Sequence, residues 1–256
     1  MTLTTLSLTV VLFGVLLVLH RFLLRPVFVA VFFGVGPLLL IINAGRLDLQ
    51  MLTWVKVFTL AVSVTLITWL PRTTGRLQRR LATCAWAILG LNILEATVAD
   101  AVHGRWMNTA VGAVLIATLA GPGAVTVTQF QGRPAVRYDL PWRWIVAYTL
   151  WNFTVVAGNY PLRWLDHCAV LGAPLAATLV LGDRRYWLEA RAFTLGIFAV
   201  AVVFVIDVLG WPWIPDSPSP AMAYPWLSGA AVVSGGWAVV GRIAERRGGR
   251  GHVQVG

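Results

Sequence analysis

The stretch that decides the fold is residues 51–70, MLTWVKVFTLAVSVTLITWL, in which one charged residue, Lys56, interrupts an otherwise apolar and weakly polar run. An α-helix needs about 20 mostly apolar residues to cross the hydrocarbon core of a bilayer, and this run has that length. A charged side chain inside such a helix costs about 2.5–3.5 kcal/mol on insertion, so it normally faces a partner or water. The run therefore predicts a transmembrane helix that carries a buried polar site.

The composition of the whole chain also indicates a membrane protein. Hydrophobic residues make up 58% of the sequence, charged residues only 12%, and the mean hydropathy is +0.77. A soluble domain usually has about 25% charged residues. The net charge of +10 does not indicate nucleic-acid binding, because the arginines fall in short connections between apolar runs, where they encode membrane topology. The two cysteines, Cys84 and Cys168, lie far apart and form no metal-binding or redox spacing, and we expect no cofactor.

The same criterion of about 20 apolar residues per span, applied to the whole chain, predicts an all-α, polytopic bundle of about nine transmembrane helices. Residues 1–244 are expected to form this single domain, and residues 245–256 a basic, disordered cytoplasmic tail. Prolines between the runs support most of the breaks. The nine predicted spans are Leu3–His20, Val27–Asn43, Gln50–Leu70, Leu81–Ala101, Asn108–Val127, Trp142–Tyr160, Leu165–Leu181, Trp187–Gly210 and Trp226–Ile243.

The distribution of arginine predicts the orientation of these spans. With the N-terminus outside, the inner connections hold fifteen arginines and the outer connections hold three, Arg46, Arg105 and Arg163. Such an excess on alternate connections is what the positive-inside rule requires. The C-terminus is then cytoplasmic. Since every basic residue other than Lys56 is arginine, a bacterial protein from a GC-rich genome is favoured, which predicts a multi-pass protein of the bacterial inner membrane.

Lys56 and Glu95 are the leading candidate pair within the bundle. At 1.5 Å per residue, Lys56 lies about 9 Å below the outer end of the third span, and Glu95 lies about 9 Å below the outer end of the fourth. Spans joined by a short connection normally pack side by side. The two residues are therefore predicted to form an ion pair in the outer half of the membrane, which would offset part of the insertion cost of both.

Further polar residues join this pair as candidate ligands for a small polar solute or ion. Several of them recur at helical spacing on one face of their span, and others lie near the outer rim. Glu189 and Arg191, at the inner start of the eighth span, are expected to cap and orient that helix or to pair with Arg184 and its neighbours. The complete candidate set is Lys56, Glu95, Asn92, Asp100, Tyr148, Asn152, Asn159 and Asp207.

Several segments resemble a family of uncharacterised bacterial multi-pass membrane proteins, a domain of unknown function. The resembling segments are Trp54-Val55-Lys56-Val57, Leu91-Asn92-Ile93-Leu94-Glu95-Ala96 with Asp100 five residues on, Trp106-Met107-Asn108, and Trp144-Ile145-Val146-Ala147-Tyr148 followed by Leu150-Trp151-Asn152-Phe153. The family often has an acidic residue between the tyrosine and the leucine of the last motif, where this chain has Thr149. The resemblance implies a shared membrane core and no particular activity.

Three functions are compatible with these patterns. The first is the binding or translocation of a small polar or ionic solute in the outer half of the bundle, with membrane lipids as the surrounding partner. The second is a structural or assembly subunit in which Lys56 and Glu95 only hold helices together. The third is a membrane enzyme acting on a lipid-linked substrate, with Glu95 or Asp100 as general acid or base; the HExxH and GxSxG motifs are absent from the sequence. The patterns leave the oligomeric state open.

Overall fold

The computed structural model describes residues 10–11, 13–15, 51–130, 132–162, 164–201 and 218–248. Within these ranges, the side chains of residues 51–58, 199–201 and 245–248 are not included. The first two predicted spans lie outside the described residues, apart from helical residues between 10 and 15. Asp207 and the end of the predicted tail also lie outside them.

The described part of the chain is mostly helical, with one β-hairpin. The hairpin pairs its strands antiparallel, with Val125 opposite Tyr138. Short 3-10 turns follow α1 and precede β1, α6 and α7. The elements are α1 (Met51–Trp69), α2 (Gly75–Val102), α3 (Trp106–Thr118), β1 (Val125–Phe130), β2 (Arg133–Tyr138), α4 (Trp142–Asn159), α5 (Trp164–Leu181), α6 (Trp187–Ala201) and α7 (Tyr224–Gly248).

Three of these helices are long and apolar enough to cross a membrane. They are α2, α5 and the segment Tyr224–Ala244 of α7. The apolar helix α3 has 13 residues, too few to cross a hydrocarbon core of about 30 Å at 1.5 Å per residue. The lengths and compositions of the three are compatible with membrane insertion.

The prediction that one span runs from Asn108 to Val127 is wrong at its C-terminal end. Helix α3 ends at Thr118, and Val125 already begins β1. Pro122 lacks a backbone N–H and fixes its own φ, so it cannot continue a helical ladder. The sequence Val-Thr-Val-Thr that follows alternates with a period of two, as a strand does. The hairpin is therefore an exception to the predicted all-α class.

Side-chain hydrogen bonds show which connections between helices lie together at each end of the bundle. At the hairpin end, Arg184 Nε donates to the carbonyl of Leu140 at 2.9 Å, which brings the α5–α6 connection to the start of α4. At the opposite end, called the Arg105 end, Arg105 Nη2 donates to the carbonyl of Gly158 at 2.7 Å. Neighbouring helices in the chain therefore run in opposite directions.

Helices α4 and α6 form the centre of the bundle. Most of their residues are buried, including the large side chains of Trp144, Trp151 and Trp187. A helix that is buried on all sides needs no polar face, so a charged residue within either one requires a specific explanation. Helices α2 and α7 lie at the periphery and present apolar side chains outward, among them Leu91, Leu94, Val98, Val102, Trp226, Val233, Trp237 and Val240.

Candidate functional site

Asp100, near the end of α2, is the centre of a buried polar cluster. Its side chain is fully buried and forms an ion pair with Arg105, whose Nη1 lies 2.8 Å from Oδ1. Asn108 Nδ2 donates to the other carboxylate oxygen. A buried carboxylate is tolerated when a positive charge and hydrogen-bond donors compensate its desolvation. We call Asp100, Arg105 and Asn108 the Asp100 cluster.

The turn between α2 and α3 brings these three residues together. Gly104 has a φ of +71°, in the left-handed region that residues with a Cβ rarely adopt. This conformation reverses the chain within three residues, so that the backbone N–H of Arg105 donates to the carbonyl of Asp100 at 2.9 Å. The Arg105 side chain then lies against the carboxylate, and α3 begins at the next residue.

Helix α4 completes the surroundings of the Asp100 cluster. Arg105 lies so close to Gly158 that a Cβ at that position would be 2.7 Å from Arg105 Nη1. Trp151 Nε1 donates to the carbonyl of Asn108 at 2.9 Å. The cluster therefore joins α2, α3 and α4. Tyr224, at the start of α7, interacts electrostatically with Arg105 and Asp100.

One buried acceptor in this cluster lacks a partner in the described part of the chain. Asn108 Oδ1 is inaccessible and accepts no hydrogen bond from any described residue. Most buried polar atoms in proteins are satisfied, so such an atom requires an explanation. It lies on the same amide group that donates to Asp100. The cluster can therefore offer an acceptor to a small molecule with an N–H or O–H group.

A second buried polar group lies between α4 and α6. Arg191 is 9% exposed, and its guanidinium carbon lies 4.6 Å from the ring centroid of Tyr148 and 5.8 Å from that of Trp187. Tyr148 in turn packs against the rings of Trp144, Trp151 and Trp187, with centroid distances between 5.1 and 6.0 Å. We call Arg191, Tyr148 and Trp187 the Arg191 cluster.

Glu189, two residues before Arg191, has a different role. Its Oε1 accepts from Arg133 Nη2 at 2.6 Å, and its Oε2 accepts from the backbone N–H of Val136 at 2.7 Å. The carboxylate therefore fastens the hairpin to α6. Glu189 was expected to cap and orient the helix or to pair with Arg184 and its neighbours. It lies in the first turn of α6 but pairs with Arg133, whereas Arg184 contacts Leu140 and Asp139.

Asp100 and Tyr148 are the two predicted site residues that the structure places in clusters. Asn152 Nδ2 donates to the carbonyl of Tyr148, and Asn159 Nδ2 to that of Val155, each one turn back on α4. Both hydrogen bonds are within α4 and do not connect it to another helix. Asn159 lies at the Arg105 end, whereas Tyr148 lies in the half of α4 nearer the hairpin.

The predicted pair of Lys56 and Glu95 stays a prediction. Helices α1 and α2 are in contact, as the pair requires, but the Lys56 side chain lies outside the described residues. Glu95 and Asn92 are partly buried on α2. Asp207 also lies outside the described residues.

Sequence reasoning missed Arg105, Asn108 and Arg191 as members of polar clusters. Arg105 was counted as a topology signal, and Arg191 was expected to cap and orient its helix or to pair with Arg184 and its neighbours. Arg191 nevertheless carried a readable signal, because it follows the start of an apolar helix by more than one turn, and charges at such depth usually mark a function. No group of three His, Cys, Asp or Glu side chains able to hold a metal occurs within the part of the chain that the structure describes.

Both clusters draw on the part of the chain that is similar to a known family. Residues 101–210 match the model of a family of unknown function, DUF5692. The expected resemblance to a family of unknown function is confirmed over this segment. It contains Arg105, Asn108, Tyr148, Trp187 and Arg191, whereas Asp100 immediately precedes it. No curated protein and no solved structure matches the chain.

Proposed function

We propose that the protein is a polytopic membrane protein that binds a small polar or ionic solute at the Asp100 cluster, close to one membrane surface. The proposal includes about nine transmembrane helices, an outer N-terminus and a cytoplasmic C-terminus in a bacterial inner membrane. Membrane lipids are the surrounding partner. Lys56 and Glu95 are proposed to form a second charged pair that contributes to the binding or translocation of the same solute.

The outward faces of the peripheral helices support insertion in a membrane. Val98 and Val102 on α2 are 52% and 78% exposed, and Trp226 and Val233 on α7 are 82% and 74% exposed. Contiguous apolar patches of this kind are rare on soluble monomers and mark a membrane or an interface. The charged side chains of Asp100 and Arg191, in contrast, are buried inside the bundle.

The grouping of arginines at one end of the bundle supports the orientation. The turn after α1 contacts the hairpin, and Arg242 of α7 interacts electrostatically with Tyr138 of β2. Under the positive-inside rule the hairpin end is cytoplasmic, and the Arg105 end faces outward. The arginines in or beside the connections at the hairpin end are Arg72, Arg76, Arg79, Arg80, Arg133, Arg137, Arg143, Arg184, Arg185 and Arg242.

The observation that carries the solute proposal is the buried, unpaired Asn108 Oδ1 beside the Asp100 carboxylate. A structural ion pair needs only the Asp100–Arg105 contact, and it gains nothing from a buried acceptor without a donor. A solute with an N–H or O–H group would satisfy this atom, and a positive charge on the solute would be attracted to the carboxylate. Small alcohols, amides and amines are the favoured classes.

A binding experiment with purified protein tests this proposal. The ligands are a panel of labelled small alcohols, amides, primary amines and carboxylates, measured by equilibrium binding in detergent and by uptake into proteoliposomes. Asn108→Leu removes the free acceptor and keeps the Asp100–Arg105 ion pair. We expect this variant to bind the best member of the panel at least tenfold more weakly. Asp139→Asn, which changes an exposed carboxylate at the other end, is the matched control and should bind as the wild type does.

The alternative of a purely structural cluster is favoured by one observation, the close packing of Arg105 on Gly158. Under that alternative, Asn108→Leu lowers the thermal stability and no member of the panel binds the wild-type protein. Saturable binding that Asn108→Leu weakens in a protein of near-wild-type stability would reject it. Uptake that is identical in Asn108→Leu, Asp100→Asn and the wild type would reject the solute proposal.

A further inference from the structure

The Arg191 cluster has a positive charge that the described part of the chain does not neutralise. No carboxylate oxygen of the described side chains lies within 4.0 Å of the Arg191 guanidinium, although four other arginines there form ion pairs with carboxylates. Glu189 is the closest carboxylate along the helix, but it binds Arg133 and Val136. Residues two apart on a helix also point to different sides. Among the described residues, the Arg191 guanidinium lies over the rings of Tyr148 and Trp187. It also interacts with the Tyr148 side chain electrostatically and through a hydrogen bond.

Stacking on aromatic rings stabilises a guanidinium only in part. A cation–π contact offsets only part of the cost of burying an uncompensated ion. The Tyr148 hydroxyl is an acceptor for the N–H groups of the guanidinium, but one hydroxyl offers fewer acceptor sites than a guanidinium has donors. Arginine has five such donors in a fixed planar fork, which matches the oxygens of a carboxylate or a phosphate.

A second donor in the same cluster, the indole N–H of Trp187, has no partner among the described residues. Trp187 is 1% exposed, and its Nε1 donates to no acceptor of the described residues. Trp187 and Arg191 are four residues apart on α6, so their side chains lie on the same face. Buried tryptophans usually find an acceptor for the indole N–H. Among the described residues, a buried guanidinium without a carboxylate partner and a buried indole N–H without an acceptor therefore lie on the same face of α6.

We propose that the Arg191 cluster is a binding site for an oxyanion, the carboxylate or phosphate group of a small molecule or of a lipid headgroup. The Arg191 guanidinium binds two of its oxygens, and the Trp187 N–H contributes a third hydrogen bond. Tyr148 holds the guanidinium plane in place by stacking. This site is separate from the Asp100 cluster, because Tyr148 and Gly158 are ten residues apart on α4, which corresponds to about 15 Å along the helix.

The two possible sources of the oxyanion are separated by the choice of probe. In detergent without added lipid, inorganic phosphate and acetate are titrated against sodium chloride of equal ionic strength, with the unfolding temperature and calorimetric heat as readouts. In nanodiscs, phosphatidylglycerol is compared with phosphatidylcholine alone. Saturable stabilisation by phosphate or acetate indicates a soluble anion. Stabilisation only by phosphatidylglycerol indicates a headgroup, and both results support the site.

Three variants test the assignment of the donors. We expect Arg191→Gln to weaken anion binding at least tenfold and Trp187→Phe, which keeps an aromatic ring but loses the N–H, to weaken it three- to tenfold. Arg184→Gln, which removes a partly exposed arginine at the same end of the bundle, is the matched control and should bind as the wild type does. Asp100→Asn should also leave anion binding unchanged, so this result is independent of the solute proposed above.

The principal rival is an internal carboxylate from a part of the chain outside the described residues, such as Asp207. In that case the wild type responds to none of the probes, and Asp207→Asn creates phosphate binding that Arg191→Gln abolishes. That outcome would overturn the proposal. The proposal would also be overturned if the wild type, Trp187→Phe and Arg191→Gln all responded equally to the anions. If Arg191→Gln does not fold, Trp187→Phe alone decides between weakened and unchanged binding.

Discussion

At the scale of single residues, Asp100 and Arg105 show how a buried charge is accommodated. The carboxylate is fully buried and has donors from Arg105 and Asn108. Removing one partner of a buried pair leaves the other charge uncompensated, which typically costs about 3–5 kcal/mol. We expect Asp100→Ala to lower the free energy of unfolding by about 3 kcal/mol in a denaturation assay in mixed micelles.

The double variant Asp100→Ala/Arg105→Ala provides the control for this prediction. It removes both charges, so it should be more stable than Asp100→Ala alone, and the difference reports the coupling between the two residues. A double variant with the summed loss of the two single variants would show that the residues do not interact.

Gly158 gives a second prediction at the residue scale. A Cβ at this position would lie 2.7 Å from Arg105 Nη1 and 2.8 Å from its Cζ, so the guanidinium must move off the carboxylate. We expect Gly158→Ala to destabilise the protein by about 1–3 kcal/mol, as overpacking usually does. Gly229→Ala in α7 is the matched control, because nothing lies within 4 Å of its added Cβ. The control should be neutral or stabilising by up to about 1 kcal/mol in the same denaturation assay.

The sequence identified only part of this site, for reasons that are physical. Asp100 was a candidate because a carboxylate near a helix end is visible in a linear pattern. Its partners were not visible, because the contact between Arg105 and Gly158 spans 53 residues and depends on how α3 and α4 pack. Arg191 and Tyr148 are likewise 43 residues apart, so their stacking depends on the packing of α4 against α6.

At the scale of elements, the hairpin was the structure that sequence reasoning missed. The length of the apolar run places Val125 and Val127 in a span, although their alternation with threonine is typical of a strand. A strand forms only when a second strand pairs with it. Here β2 provides the partner, because the chain turns at Gly132, whose φ is +77°, and Arg133 then pairs with Phe130. In contrast, the predicted boundaries of α4, Trp142–Tyr160, agree with the observed helix to one residue.

The hairpin also gives a prediction about pH. Tyr138 is fully buried in β2, and its hydroxyl donates to the carbonyl of Ala120. Burial raises the pKa of the Tyr138 hydroxyl above its ordinary value of 10. The folded state therefore holds this proton more tightly than the unfolded state, so the stability it contributes is present below pH 10 and is lost as the pH rises further.

Tyr138→Phe tests this linkage. The variant cannot ionise at this position, so we expect it to lose less stability between pH 9 and pH 11 than the wild type, as measured by thermal unfolding at each pH. At pH 7 it should be less stable by about 1 kcal/mol, because the carbonyl of Ala120 loses its donor. Parallel stability profiles of the two proteins above pH 10 would contradict the assigned cause.

At the scale of the whole molecule, the arrangement of charge and apolar surface predicts how the bundle sits in a membrane. The described residues have arginines grouped at the hairpin end, and their peripheral helices expose Leu, Val and Trp side chains. Positive charges are retained on the cytoplasmic side during insertion. The hairpin end should therefore be cytoplasmic, and the connection between α4 and α5 should face outward.

Single cysteines at the two ends test this orientation in intact cells. In a background with Cys84→Ser and Cys168→Ser, Leu162→Cys places a thiol in an exposed connection at the Arg105 end, and Asp139→Cys places one in an exposed position beside the hairpin. We expect a membrane-impermeant maleimide to label Leu162→Cys in intact cells and to label Asp139→Cys only after permeabilisation. Because both sites are exposed, a difference in labelling reports the side of the membrane and not burial. The reverse pattern would invert the topology, and equal labelling of both sites in intact cells would contradict a bundle that spans the membrane.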